Sequence, residues 1–533
     1  MRSLRYTLLG GSVALLTLAG GCPTDPTVPG DSPGGGTVVS GNDPGPSGGN
    51  PPPPSAAPQT QSFDGEFSGD AQRVSAYRDT LTSEEAHHLL RRTSLGATSR
   101  EVDDAVARGL SATVDALLAY TPPASEVVAL AESYEEDIRK RWQVHLMESP
   151  NILHERMAMF WHDRFATSAR VANDYRERNL PYQHWMMLRR NALGNYRQFL
   201  LDLTLDPLML LWLDGADSPK TNPNENYCRE FWELFTLGRD TVYVEDDIKE
   251  GARAFTGITL LYEHNMDPRP IFDLYNHDET DKLVFPGRAP TPQNYNYVSL
   301  TDLTLAQPEA PRYVARNLFV FFVHDHPSDA VVQELADLLV ASNWELRPLV
   351  RKILTSQALF SQAARFNQVS SPVEHYVGVA RTLSMHIHSE DSQGYIMDRL
   401  VNDLRDAGQE LLNPPGVEGW SEGEHWLQDQ WVMSRANALG RTMEYGDARY
   451  PRLPYHLLPP TSTWTEREVR GQIVDALARA FHLPLTAAER DIYIEVLDQN
   501  GHRAFHLLNP NQQPSHVFEV IRLMAMDERV ITR

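Results

Sequence analysis

The sequence has 533 residues, of which 41% are hydrophobic and 22% are charged, and this composition supplies the core of a large globular protein. Its 71 acidic and 48 basic residues give a formal net charge of −23. A field of that sign repels nucleic acid and anionic lipid, so we expect no nucleic acid partner.

The N-terminal segment has the layout of a lipoprotein signal peptide, residues 1–21. Arg2 and Arg5 precede an apolar stretch too short to span a membrane comfortably, and small residues lead to Cys22. We expect lipidation of Cys22 to anchor the chain in the cell envelope. Pro23, in place of the aspartate that retains lipoproteins at an inner membrane, favours the outer membrane. An ordinary cleaved signal peptide with a chance cysteine is the alternative.

A stretch rich in Pro, Gly and Ser follows, with four consecutive prolines at 51–54 and almost no apolar residues. This composition predicts a disordered tether over residues 22–76 and a globular domain over residues 77–533. Cys228 is the one cysteine of that domain, so the domain has no internal disulfide.

Apolar residues recur at helical spacing through most of the domain, which predicts a mainly α fold, a large multi-helix globular domain. Ser83 is the expected N-cap of the first helix. The predicted helices cover residues 84–92, 99–109, 127–147, 151–168, 173–205, 225–237, 245–256, 310–324, 328–341, 345–356, 372–388, 395–412, 425–443, 465–481, 486–498 and 515–527.

Residues 258–303 interrupt this pattern. They are rich in Tyr, Asn, Pro and β-formers, and residues 258–262 and 271–274 are the candidates for short strands. The segment is therefore predicted to be a short irregular insertion with β-structure between two helical halves.

The segment 222–238 carries the densest group of polar residues. On a helix, Glu225, Arg229 and Glu233 lie four apart, while Asn226, Glu230 and Glu233 share an adjacent face. Two carboxylates three residues apart can hold a metal ion or act as an acid and a base. A ladder of ion pairs along the helix is the alternative.

A second candidate is His162, which shares a helix face with Glu155 and is flanked by Phe160 and Trp161. Aromatic neighbours would exclude water from a polar group there. The zinc protease signature fails because residue 158 is Ala, not His. A hydrogen-bonded core histidine is the alternative.

Two further candidates lie in predicted loops. His277 and Asp278 form an exposed pair suited to a metal ligand or a general base, or else a solvated turn. Trp420 follows a rigid turn made by two prolines and two glycines, which presents the indole either to a cleft or to the core.

These residues also carry a resemblance to a known family. The chain resembles the bacterial domain-of-unknown-function family 1800, DUF1800. The matching blocks, in chain order from about residue 80 to 440, are His88 to Arg92 with Gly96; Phe160, Trp161 and His162; Asn224 to Asn226 through Arg229, Glu230 and Glu233 to Gly238; Asp246 and Asp247 to Gly257; His277 and Asp278; and Pro414 and Pro415 with Gly419 and Trp420. The resemblance implies an exported or envelope protein and no established reaction.

Two hypotheses follow. The first is an envelope enzyme acting on an extracytoplasmic substrate, with a divalent metal as its cofactor or none. Its catalytic candidates are His162, Glu230, Glu233, His277 and Asp278, and its substrate-binding candidates are Trp420, Arg229 and Asn226. The second is a non-catalytic surface protein that binds a glycan or a protein partner in envelope assembly. An enzyme requires at least three of these polar groups to converge, whereas a binding protein disperses them into separate ion pairs.

Overall fold

The structure, a computed structural model, describes the chain in eight stretches. These are residues 67–120, 135–149, 151–264, 266–288, 292–383, 395–445, 466–498 and 515–533. Within them the chain forms 21 α-helices and one two-stranded sheet, which confirms the mainly α prediction. The predicted signal peptide, Cys22 and the predicted tether up to residue 66 lie outside the described residues.

The first eight helices are α1 (Ser83–Ser94), α2 (Ser99–Arg108), α3 (Leu110–Leu118), α4 (Glu135–Glu148), α5 (Ile152–Arg164), α6 (Leu180–Asn191), α7 (Tyr196–Thr204) and α8 (Pro207–Trp212). The predicted cap at Ser83 is wrong by one residue. Thr82 accepts from the Glu85 N–H, and the Glu85 carboxylate accepts from the Thr82 N–H. The single helix predicted over 173–205 is also wrong, because Asn195 caps a new helix, α7, after a turn.

Helix α5 lies at the centre of these helices. Every residue from Ile152 to His162 is buried, and the helix packs against α1, α3, α4 and α6. Charged groups in such a helix need partners because burying an unpaired charge is costly. The Glu155 carboxylate accepts from the Arg189 guanidinium of α6 at 2.6–3.0 Å, and Arg156 Nε lies 3.4 Å from Glu374 Oε1.

The middle of the domain comprises α9 (Glu225–Glu230), α10 (Glu245–Phe255), β1 (Ile258–Leu261), β2 (Arg269–Phe272), α11 (Tyr297–Leu305), α12 (Glu309–Phe322), α13 (Asp329–Ala341) and α14 (Leu346–Leu354). The two strands pair antiparallel, with Ile258 opposite Phe272. The β-structure predicted in the insertion is therefore present. Helix α11, at the end of the insertion, was not predicted; Asn296 caps it.

Helix α9 continues into a π-helical turn, Phe231–Thr236. This wider turn leaves backbone carbonyls that need other donors. The Tyr313 hydroxyl donates to the carbonyl of Leu234 at 2.6 Å, and the Tyr196 hydroxyl donates to that of Phe235 at 2.5 Å. Both tyrosines thereby fix the end of the segment that carries Glu230 and Glu233.

The last helices are α15 (Pro372–Thr382), α16 (Tyr395–Asp406), α17 (Asp429–Tyr445), α18 (Glu466–Ala480), α19 (Ala487–Asp498), α20 (Ser515–Ala525) and α21 (Glu528–Ile531). None of the helices in the described stretches has both the length and the apolar content needed to cross a bilayer.

The tether was predicted to end at residue 76, but the chain packs against the domain before that point. Phe67 and Val74 are buried. The Gly69 N–H donates to the carbonyl of Phe360, and the Tyr77 N–H donates to that of Thr355. At least the last ten residues of the predicted tether, 67–76, thus pack against the segment after α14.

Two helical glycines give opposite predictions for substitution by alanine. A Cβ on Gly251 in α10 would lie 2.5 Å from Cys228 Sγ and 2.6 Å from the Trp232 ring, whereas a Cβ on Gly440 in α17 meets only the Arg522 side chain, at 3.7 Å. Overpacking should lower the free energy of unfolding of Gly251→Ala by about 1–3 kcal/mol. The higher helix propensity of alanine should raise the free energy of unfolding of Gly440→Ala by up to about 1 kcal/mol. Urea unfolding followed by circular dichroism measures both, and equal stability of the two variants would contradict the packing described.

Candidate functional site

The ion-pair ladder expected on α9 is present. Arg229 lies 3.4 Å from Glu225, 3.8 Å from Glu233 and 2.7 Å from Glu245. Asn226 is engaged at the start of the helix, where its N–H donates to the Asn224 side chain. Arg229 therefore stabilises the helix, and neither Arg229 nor Asn226 lines the pocket beside Trp420.

Glu230 and Glu233 belong to a polar cluster beside the turn that carries Trp420. Arg239 Nε lies 3.4 Å from Glu233 Oε2, and the same guanidinium bonds to Glu418, two residues before Trp420. Glu230 Oε2 is buried and has no hydrogen-bond partner among the described residues. Burial and the nearby Glu233 carboxylate raise the pKa of Glu230.

His277 and Asp278 lie elsewhere, beside the hairpin. The imidazole of His277 is buried and its Nδ1 lies 2.9 Å from the Thr256 carbonyl oxygen, to which it donates. Asp278 accepts from Arg253 Nε at 2.8 Å. Burial raises the pKa of Asp278, but its bonds to Arg253 and Thr280 outweigh burial and lower it. Asp278 is ion-paired and His277 is hydrogen-bonded to the backbone, so the pair is not exposed as was expected.

His162 is a hydrogen-bonded core histidine. Its Nε2 accepts from the Leu412 N–H at 3.1 Å, and its ring packs against Trp142 and Trp420, with centroids 5.2 Å away in both cases. Burial, with the neighbouring His184, lowers the pKa of His162 well below its usual value, so the ring is neutral.

The contacts described divide the five catalytic candidates into three groups. His162 meets Trp420, Glu230 and Glu233 form a second group, and His277 with Asp278 form a third. No group of three or more His, Cys, Asp or Glu side chains in the described stretches is arranged to hold a metal ion.

A pocket of about 150 Å³ opens beside Trp420. Aromatic side chains form its apolar walls: Phe160, Phe321, Trp420 and Trp426. Carboxylate, amide, hydroxyl and guanidinium groups share the lining: Asp163, Arg164, Asp325, Asn367, Gln368, Ser371, Glu374, Gln409, Ser421, Glu422 and Arg533. Aromatic walls with a few polar groups are typical of a site for a small ligand.

The polar centre of this pocket is a pair of neighbouring carboxyl groups, Asp163 and Glu422. Arg164 Nη2 donates to Glu422 Oε1 at 2.5 Å. Burial and the Glu422 carboxylate outweigh Arg164 and raise the pKa of Asp163 from 3.8 to about 7. Asp163 is therefore partly protonated near neutral pH.

The turn before Trp420 is shaped to meet α5. The Trp420 N–H donates to Asp163 Oδ1 at 2.8 Å. Gly419 has a φ of +82°, and a Cβ there would overlap the backbone and the carboxylate of Asp163. Glycine is thus required at this position both for its backbone conformation and for the close approach.

Sequence reasoning missed Asp163 and Glu422 as site residues. Asp163 directly follows the Phe160 to His162 block, but its partner is 259 positions further along the chain, and helical spacing gives no signal for such a pair. Trp420 alone among the predicted residues lines the pocket.

Comparison with protein families gives one match. The model of a family described as a protein of unknown function (DUF1800) matches residues 88–513, which confirms the resemblance seen in the sequence. No curated protein and no solved structure matches the chain.

The raised pKa of Asp163 predicts a pH-dependent stability difference. Between pH 4 and 7 the folded state retains a proton that the unfolded state has released, so this carboxyl group destabilises the fold increasingly as the pH rises to about 7. Asp163→Asn should therefore gain in melting temperature relative to the unsubstituted protein as the pH rises through this window, and the gain should level off above it.

Asp278→Asn is the matched control. The pKa of Asp278 is lowered, so its stabilising contribution is present above its unfolded pKa and is lost as the pH falls below about 4. The difference in melting temperature between Asp278→Asn and the unsubstituted protein should be constant between pH 5 and 8. Parallel curves for Asp163→Asn and the unsubstituted protein would show that Asp163 is ionised in the usual way.

Proposed function

We propose that this chain, which belongs to the DUF1800 family, is an envelope lipoprotein whose pocket beside Trp420 binds an extracytoplasmic glycan. The observation that carries the proposal is the composition of the pocket, in which the aromatic rings of Phe321 and Trp420 line the same space as the carboxyl groups of Asp163 and Glu422. A sugar ring has apolar C–H faces that pack on aromatic rings and hydroxyl groups that bond to carboxylates, amides and guanidinium groups.

The size of the pocket favours a small ligand, such as one sugar ring, over the surface of a folded protein. Its volume of about 150 Å³ is roughly ten times what one bound water needs. Specific protein–protein interfaces are broad and bury about 800 Å² on each partner. A ring at the end or side of a glycan fits such a concave site better than a folded partner does.

Two of the catalytic candidates, Glu233 and Asp278, are engaged in ion pairs, which supports a binding function over a catalytic one. Glu233 pairs with Arg229 and Arg239, and Asp278 pairs with Arg253. These ion pairs are the arrangement expected of a non-catalytic protein. A metal-dependent reaction has no support among the described residues.

Hydrolysis of the bound glycan is the second candidate function, and the Asp163–Glu422 pair is the observation that favours it. A carboxyl group with a pKa raised to about 7, as Asp163 has, can donate a proton to a leaving group, and a second carboxylate such as Glu422 can accept one from water. The Trp420 N–H and Arg164 hold the two groups in place.

Trp420→Ala tests the proposed site. Loss of the aromatic wall should weaken glycan binding at least about 10-fold, equivalent to about 1.4 kcal/mol, while Trp420→Phe should retain most of the affinity. The measurement is titration of the purified protein with a panel of envelope glycan fragments, followed by calorimetry. Trp212→Phe, outside the pocket lining, is the matched control and should bind as the unsubstituted protein does. Failure of the unsubstituted protein to bind any glycan would refute the proposal.

Asp163→Asn and Glu422→Gln separate binding from hydrolysis. If the pair is catalytic, either substitution should abolish release of reducing ends from a bound glycan and change its affinity only a few-fold, because the amide retains the shape of the carboxyl group. Binding without release of reducing ends by the unsubstituted protein would identify a binding protein.

The proposed anchor has its own test. Cys22→Ser should move the protein from the detergent phase to the aqueous phase in a Triton X-114 partition of cell membranes, because the acyl chains at Cys22 supply the membrane affinity. Equal partition of both forms would contradict lipidation.

A further inference from the structure

Three buried arginines converge at the inner end of the pocket. Arg92 of α1 and Arg156 of α5 are completely buried, and Arg533 is 8% exposed. They surround a single carboxylate, that of Glu374 in α15. Arg156 Nε lies 3.4 Å from Glu374 Oε1, and the Arg533 guanidinium contacts the same oxygen.

The charges in this group do not balance. Arg156 and Arg533 both contact Glu374, and Arg92 interacts with the same carboxylate, so the guanidinium groups outnumber this carboxylate in the interior of a protein of net charge −23. Burial and repulsion from Arg533 lower the pKa of Arg156 to about 9 and also lower that of Arg92. Buried charge of one sign is costly unless a counter-ion neutralises it.

Several donors of these arginines have no acceptor. Arg156 Nη1 and Nη2, Arg92 Nε and Nη1, and Arg533 Nε are buried and have no hydrogen-bond partner in the described stretches. Arg92 uses only Nη2, which donates to the carbonyl of Ala364 and to Asn367 Oδ1. Each unused donor destabilises the fold if nothing accepts from it.

The pocket reaches this group. Arg533 and Glu374 line the pocket, as do Asn367, which accepts from Arg92, and Phe321, on which the Arg156 guanidinium stacks at 4.3 Å. A ligand that enters beside Trp420 therefore reaches Arg533 directly and comes close to Arg92 and Arg156, which lie behind the Asn367 and Phe321 side chains. Guanidinium groups bind the planar or tetrahedral oxygens of carboxylate, phosphate and sulfate with paired hydrogen bonds.

We infer that the inner end of the pocket binds an oxyanion group, a sulfate, phosphate or carboxylate, through Arg92, Arg156 and Arg533. The oxyanion supplies the missing negative charge and accepts from the unused donors. It is either a free inorganic ion or an acidic substituent on the glycan of the proposed function. The site itself does not depend on that function.

Free sulfate and phosphate test the site without any glycan. The purified protein is kept in a chloride buffer, and sulfate or phosphate is added while sodium chloride holds the ionic strength constant. We expect a saturable rise in melting temperature of a few degrees and a matching binding isotherm by calorimetry, because a ligand of the folded state stabilises it by mass action. A rise no larger than that produced by chloride would overturn the inference.

Substitution of Arg156 assigns the effect to this group. Arg156→Met removes one uncompensated charge, so it should be at least as stable as the unsubstituted protein in chloride and should lose the response to sulfate. Arg156→Lys keeps a charge but not the paired donors, and it should weaken sulfate binding at least about 10-fold. Arg351→Met, which breaks a surface ion pair with Asp115, is the control and should respond fully. An undiminished response in folded Arg156→Lys would overturn the assignment.

Acidic and neutral forms of the same glycan distinguish the two sources of the oxyanion. If the group is a substituent of the ligand, the acidic form should bind at least about 10-fold more tightly, and added sulfate should compete with it. If the oxyanion is a free ion, sulfate should leave the affinity for both forms unchanged or raise it. Absence of glycan binding together with a sulfate response would refute the proposed function and leave the oxyanion site standing.

Discussion

Burial of the charged residues of α5 is the constraint on which the rest of the domain depends. The helix lies inside the fold, yet it carries Glu155, Arg156, His162 and Asp163. Each needs a partner that the helix itself does not provide, and the partners come from α6, from α15 and from the loop before α17. Meeting these requirements fixes the position of each segment around α5. The pocket forms where two of them, the start of α15 and the Trp420 turn, approach the same end of the helix.

Local features of the fold were predictable from the sequence, and long-range pairings were not. Helical spacing and the composition of residues 258–303 depend on neighbouring residues, and both predictions were confirmed in outline. The same spacing showed that Glu230 and Glu233 share a face, but not that Arg239 would lie opposite them. A continuous apolar pattern concealed the turn at Asn195, because both helices bury that face. The match to the family agrees with the motif blocks and adds no reaction.

The pocket is electrically asymmetric along its depth. Its outer part holds the Asp163–Glu422 pair beside Trp420, and its inner part ends at an excess of guanidinium groups. A ligand with hydroxyl groups at one end and an acidic group at the other would enter in one orientation only. A pocket with this charge distribution selects a ligand by the order of its chemical groups as well as by their identity. It also gives a reason for an acidic protein to keep, in its interior, arginines whose donors are only partly used.

The contacts of Arg91 in α1 bear on the order in which the domain forms. Its guanidinium donates to the carbonyls of Arg529, Val530 and Thr532, and the first of these lies 438 residues further along the chain. A polypeptide that emerges from its N-terminus presents α1 long before these acceptors exist, and contacts of such separation form slowly. Until they form, Arg92 and Arg156 also lack Arg533 beside Glu374. The inner end of the pocket is therefore complete only once the segment that carries Arg533 has packed beside Glu374.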